Sequence, residues 1–244
     1  MPIYDKPVRL LMKDMVSDLG VKKGDVLSKE QVQAWFAKSY PKIKEGTISA
    51  HLIRMSTNAP SRVHYNATPG DDLFCQINGS HFRLYDPEND APPIYETGSV
   101  KPTSGLLKEE LEPPTEFAYE TDLRNFLAKN LSLLEPGLRL YEEEGINGIE
   151  FPVGGRFIDI LAVDAQDNYV VIELKVSRGY DRVVGQLLRY VAWISKHHAN
   201  PTQQVRGVIV AREISNDLLL ACSALPAVQL FEYQLSVSLR RVAK

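Results

Sequence analysis

Apolar residues recur at helical spacing from Val8 to Leu19 and stop at Gly20, which predicts an amphipathic helix. Ser28, with Gln31 three residues on, has the form of a capping box, so a second helix is expected from there to about Ser39, before Pro41. A third is expected from about Thr47 to Met55. In "DLFCQINGSHFRLYD", Asn78-Gly79 lies between alternating apolar runs, a strong short-range signal for a hairpin. Three helices followed by a hairpin predict a winged-helix-like α+β module.

The pattern then breaks. Tyr85–Glu116 is rich in Pro, Gly, Ser and acid, and Pro92-Pro93, Pro102 and Pro113-Pro114 exclude long regular elements. The expected division is a module over 1–86, a Pro-rich acidic linker over 87–115 and a second module over 116–244. The second module opens with a helix from about Glu116 to Leu134, ended by Pro136-Gly137. Strands follow in "GIEFPV" and "RFIDILAVDAQDNYVVIELK", then a long helix over Asp181–His198. An apolar strand (Val205–Ala211), a short helix capped by Ser215 and a last strand in "VQLFEYQLSV" complete it. This order predicts an α/β domain with a mixed sheet flanked by helices.

One hairpin carries charge inside its apolar runs. A turn centred on Gln166 sets Val163 opposite Tyr169, Leu161 opposite Val171 and Asp159 opposite Glu173. Lys175 then points to the same face, two residues beyond Glu173. Ile158, Ile160, Val170, Ile172 and Leu174 make the opposite face apolar. Two opposed carboxylates repel, and a divalent cation reconciles them. Mg²⁺ (or Mn²⁺) takes oxygen ligands and keeps waters, one of which can attack a phosphodiester. Asp159 and Glu173 are the expected ligands, with Glu120 of the preceding helix as a third, and Lys175 is placed to orient that water or stabilise developing charge. The plainer alternative is an exposed Glu-x-Lys salt bridge, worth at most about 1 kcal/mol.

Charge and composition narrow the field. The chain has 244 residues and net charge −3, so it has no overall basic field. The acid excess sits in residues 91–150, which hold 5 basic and 12 acidic side chains. Cys75 and Cys222 are too few and too far apart for a disulfide framework or a Cys-based zinc site. The first residues lack a signal-peptide core, and no apolar run reaches the roughly 18 residues of a membrane helix, so a cytoplasmic protein without a membrane role is expected. No metalloprotease, P-loop or serine-hydrolase motif occurs.

These residues resemble a known family. "IDILAVD" with "YVVIELK" resembles the core of the PD-(D/E)xK nuclease superfamily, its motif matched by Asp159, Glu173 and Lys175. "GQLLRY" contributes Gln186 and Tyr190, similar to the Q-x-x-x-Y element of RecB-like nucleases. Roughly Glu116 to Leu239 is similar to the catalytic domain of NucS-type endonucleases, and Glu120 matches the helix carboxylate of that family, with Glu116 in reserve. The resemblance implies a restriction-endonuclease-like fold and metal-dependent hydrolysis of DNA, in a setting such as DNA repair or phage defence. NucS-type enzymes carry a β-rich N-terminal domain for DNA binding and dimerisation. This chain is expected to carry a winged helix instead, so mismatch specificity does not transfer.

DNA contacts are expected from Arg156, Arg178, Arg182 and Arg189 around the motif strands and the following helix. The third helix and its surroundings offer Lys42, Lys44, His51, Arg54 and Arg62, either as a recognition surface or as an ordinary solvated face. Cutting both strands would favour a homodimer, whereas nicking would not require one. The competing reading is a non-catalytic DNA-binding regulator or structural subunit on a nuclease-like scaffold.

Overall fold

The structure, a computed structural model, describes residues 4–95, 120–176 and 181–235. Glu116, Arg178, most of the expected linker and the end of the last expected strand lie outside the described residues.

Helix α1 (Val8–Asp18) is followed by a short strand β1 (Leu27–Ser28), and α2 (Lys29–Ser39) starts on the expected capping box of Ser28 and Gln31. Helix α3 spans Glu45–Arg54. A 3₁₀ turn (Pro60–His64) leads to the hairpin β2 (Phe74–Asn78) and β3 (His81–Leu84), and β1 adds to it as a third strand. Val8, Leu11, Met15, Phe36, Leu52, Phe74 and Phe82 close the core of this winged-helix-like module. The start of the expected linker packs back onto it. Ile94 N–H donates to the Thr57 carbonyl at 2.8 Å, and Tyr95 covers Arg62 with its ring centroid 5.0 Å away.

In the second module α4 (Glu120–Lys129) precedes β4 (Arg139–Leu140), a small hairpin of β5 (Glu142–Glu143) and β6 (Ile146–Asn147), then β7 (Ile149–Val153). Strands β8 (Arg156–Val163) and β9 (Tyr169–Lys175) form the charged hairpin. Helix α5 (Asp181–His197), β10 (Val205–Ala211), α6 (Asn216–Ser223) and β11 (Val228–Glu232) complete it. The sheet runs β11-β10-β9-β8, with β4 and β7 both pairing with β8. Strands β9, β10 and β11 are parallel and the other pairs antiparallel. Helix α4 packs over Ile160, Ile172, Leu174 and Val210 on one face, and α5 over Leu161, Val171 and Ile209 on the other. This is the restriction-endonuclease-like architecture: a mixed sheet flanked by helices.

The register is the expected one from Val163↔Tyr169 to Ile160↔Ile172, and the pairing of β8 with β9 ends there. Asp159 does not continue the ladder. Ile158 departs from the expected face as well, packing in the α5-side cluster while Ile160 packs under α4. The cause is a change of neighbour: beyond Ile160, β8 follows β7, whose Glu150 has a left-handed backbone (φ 48°).

Helix α3 departs furthest from expectation. Gly46 through Arg54 are all buried. Ala50, Ile53, Ala59 and Tyr65 join the same core cluster as Tyr141, Phe151, Val171 and Leu187 of the second module. His51, Arg54 and Arg62 are 0%, 8% and 0% exposed, so none offers its head group as a recognition surface. Arg54 donates to the Glu144 carbonyl at 2.8 Å and meets the Asp71 carboxylate at 3.2 Å. Arg62 pairs with Asp72. His51 Nδ1 donates to the Thr47 carbonyl, and burial pulls its pKa down to about 4, so the ring is neutral. Gly145 adopts φ 81°, and a β-carbon there would overlap the Arg54 guanidinium. Lys42 stays exposed, while Lys44 is half-buried with its ammonium 5.7 Å from the Tyr169 ring centroid.

Gly46 is another tight point of this seam, because a β-carbon there would lie 2.6 Å from His198 Nδ1 and 3.2 Å from the Phe151 ring. In an open helix, Gly→Ala stabilises by up to about 1 kcal/mol. At Gly46 overpacking reverses the sign, and Gly46→Ala is expected to cost about 1–3 kcal/mol. Gly185→Ala in α5, which meets nothing within 4 Å, should gain stability. Urea denaturation of the two variants beside the parent checks both signs.

Candidate active site

The fork where β8 leaves β9 frees the N–H of Leu174, and the Asp159 carboxylate accepts it at 2.9 Å. Backbone geometry thus fixes Asp159 beside Glu173. Glu173 is 0% exposed, so the carboxyl is surrounded by protein. Gln186, in the second turn of α5, donates from Nε2 to Glu173 Oε2 at 2.6 Å. The other oxygen, Oε1, is buried with no hydrogen-bond partner. A buried acceptor left open is costly unless something completes it.

Electrostatics follow from this enclosure. Burial, and next the charge of Asp159, push the Glu173 pKa up to about 8, against the pull of Lys175. Burial also raises Asp159, offset in part by the Leu174 N–H and by the positive charges of Lys175 and Arg124. The two carboxylates therefore resist simultaneous ionisation. Lys175, at the end of β9, places Nζ 3.1 Å from Glu120 Oε1 on the first turn of α4. Glu120 is partly exposed and Lys175 more enclosed, so the pair closes the rim of the site.

The expected residues are thus brought together in two layers. Buried Glu173 with half-buried Asp159 and Gln186 forms the inner layer, and Glu120 and Lys175 form the rim. Tyr190, one turn beyond Gln186, is buried at 3% exposure with the Arg189 guanidinium 5.7 Å from its ring centroid. Arg156, Arg182 and Arg189 are exposed.

An all-oxygen donor set with an open buried oxygen suits a hard divalent cation such as Mg²⁺ or Mn²⁺. Asp159 and Glu173 fit this role. Glu120 is engaged by Lys175, and among the described residues no group of three His, Cys, Asp or Glu side chains is arranged to hold a metal ion. The third ligand would have to come from Glu120 turning away from Lys175.

Two residues beside this site escaped sequence reasoning. Arg124 lies four residues after Glu120 on α4 and pairs with Glu150 of β7 at 2.7 Å. The spacing of Glu120 and Arg124 puts them on one helix face, which was the available signal. Glu150 carried none, since its left-handed backbone shows only in the fold.

Two family models match separate stretches of the chain. Residues 119–222 match the family "Endonuclease NucS C-terminal domain", and residues 7–84 match a domain of unknown function (DUF7669). Endonuclease NucS of Pyrococcus furiosus is 30% identical over 111 residues, covering 45% of this chain and 38% of that protein. Endonuclease NucS of Pyrococcus abyssi is 28% identical, covering 45% of this chain and 40% of that protein. The match therefore spans about two fifths of these relatives' length. A crystal structure of a repair endonuclease from Pyrococcus abyssi aligns at TM-score 0.40 and 22% identity, over 52% of this chain and 49% of that one. An EndoMS–dsDNA complex aligns at TM-score 0.40 and 23% identity, over 51% of this chain and 49% of that one. The C-terminal part of this chain, around Asp159, Glu173 and Lys175, is similar to the C-terminal domain of NucS endonucleases.

Proposed function

We propose that the chain is a divalent-cation-dependent endonuclease that hydrolyses phosphodiester bonds of DNA. The observation that carries this reading is the buried Asp159–Glu173 pair, with Glu173 Oε1 left without a partner beside the Lys175 ammonium. Bound Mg²⁺ or Mn²⁺ would neutralise the pair and supply Lewis acidity at a phosphoryl oxygen. Asp159 and Glu173 would hold the cation, joined by Glu120. Gln186 keeps Glu173 in one rotamer by its 2.6 Å hydrogen bond. Lys175, freed from Glu120, would orient the attacking water and stabilise charge on the scissile group. Tyr190 supports the helix face from which Gln186 reaches.

Exposed Arg156, Arg182 and Arg189 suit the phosphate path into this site, with Arg178 on the segment between β9 and α5 in the same role. On the N-terminal module, Lys42 and Lys44 remain the phosphate contacts of this reading. The domain division this implies is 1–86, 87–115 and 116–244. The non-catalytic alternative draws on the Glu120–Lys175 pair, which occupies the third carboxylate.

Incubation of single-stranded, duplex, branched, mismatched and methylated DNA with Mg²⁺ or Mn²⁺ decides between them. Cleavage is expected to require the ion and to fall by at least about 10²–10³-fold in Asp159→Asn and in Lys175→Ala, with folding intact. Cleavage that persists in excess chelator overturns the reading. Binding without cleavage of any DNA form, with either ion, favours the scaffold.

The raised pKa of Glu173 adds a pH signature. Without metal, the folded protein keeps this carboxyl protonated up to about pH 8, whereas an unfolded chain ionises it near 4.3, by the ordinary value. The unfolded state thus binds fewer protons between these limits, and stability falls as pH rises through them. Glu173→Gln should flatten that slope in thermal melts. Metal binding should release a proton at neutral pH, which calorimetry in buffers of different ionisation enthalpy detects.

A further inference from the structure

A chain of polar contacts runs from the N-terminal module into the two carboxylate-bearing elements of the nuclease site. The β7–β8 pairing sets Ile149 across from Ile160 and Phe151 across from Ile158, which leaves Glu150 directly across from Asp159. Glu150 is held from three sides. Tyr65 O–H donates to its carbonyl at 2.7 Å, and Ser61 O–H donates to its Oε2. Its Oε1 meets Arg124 Nη1 at 2.7 Å. Ser61 and Tyr65 belong to the buried 3₁₀ turn and its end in the N-terminal module. Arg124 is only 8% exposed and sits one helical turn after Glu120.

The arrangement has features that plain packing does not explain. Glu150 is a non-glycine residue in the left-handed region inside a strand, a conformation that persists only where surroundings hold it. Those surroundings are Arg124 and, from the other module, the two hydroxyls and the His64 ring, whose Nε2 lies 3.8 Å from Oε2. The same carboxylate then anchors α4 through a half-buried ion pair. Glu150 thus ties the stretch of β7 that flanks Asp159, between the Ile149–Ile160 and Phe151–Ile158 pairs, to the helix that carries Glu120.

We propose that Arg124 and Glu150 are positioning residues that transmit the seating of the N-terminal module to Asp159 and Glu120, and so set the affinity of the site for its divalent cation. This rests on the reading of the site as a metal-dependent nuclease. Partners of this kind, one step removed from ligands, typically cost about 10–100-fold in metal affinity when removed.

The test uses the full chain without DNA. Mn²⁺ binding is measured by calorimetry and by electron paramagnetic resonance of the free ion. Ser61→Ala with Tyr65→Phe removes only the two hydroxyls and preserves shape. This double variant is expected to fold, by circular dichroism, and to bind Mn²⁺ about 10–100-fold more weakly. Its cleavage should recover at saturating Mn²⁺, with kcat near the parent value and a raised metal requirement. Arg124→Met should behave likewise, and Arg124→Lys should restore most of the affinity. A purely structural role would lower the melting temperature and leave the affinity of the folded protein unchanged, and that result overturns the proposal. If the parent chain cuts DNA with Mn²⁺ and all folded variants match it, only the positioning role falls. If the parent binds no divalent cation, the nuclease reading itself falls and takes the positioning role with it.

Discussion

The carboxylate of Asp159, accepting the Leu174 N–H at 2.9 Å, is the contact on which the site depends. Two strands that part company leave backbone donors unpaired, and a buried unpaired donor is expensive. Here a side chain takes over from the ladder. The substitution holds the fork open and carries one acid to the flank of another. Had the ladder run two pairs further, Leu174 would have met Ile158 and been satisfied by main chain, and its N–H would not have needed Asp159.

Around this point the two helices act from opposite sides. From α5, Gln186 satisfies one oxygen of Glu173 and fixes its orientation. From α4, Glu120 holds Lys175 at the rim. Glu173 bears most of the desolvation, and the rim pair bears the charge nearer solvent. The enclosed side is preorganised while the outer side stays free to exchange partners. Such a division suits a site that must hold an ion and admit a charged polymer.

Much of the fold could be read from local pattern. The capping box at Ser28, the turn centred on Gln166 and the Ser215 cap all rest on neighbours within a few residues, and each stands as expected. The nearness of Asp159 and Glu173 follows from the same short-range logic, although the ladder expected to pair them ends at Ile160 and Ile172. What could not be read depended on distant partners. Thr47, His51 and Arg54 look like a solvated helix face until Glu143 and Glu144 arrive to meet them. The acidic run "YEEEGINGIE" was visible, but its complement lies about ninety positions earlier, by the separation of Arg54 and Glu144. Ile158 changed clusters for a related reason: alternation predicts one face, and only the left-handed Glu150 on the neighbouring strand shows where it fails.

The burial of α3 has a consequence for modularity. Ala50, Ile53, Ala59 and Tyr65 complete the same apolar cluster as Phe151, Val171 and Leu187, so the two halves share one core beside the one that each keeps to itself. A nuclease domain excised from this chain would bare that apolar floor, together with the aromatic nest in which His198 sits against Tyr141, Phe151 and Tyr169. Exchange of the front half for that of another protein would then demand matching changes across the seam. Recombination should preserve the two halves as an inherited couple rather than shuffle them as interchangeable cassettes.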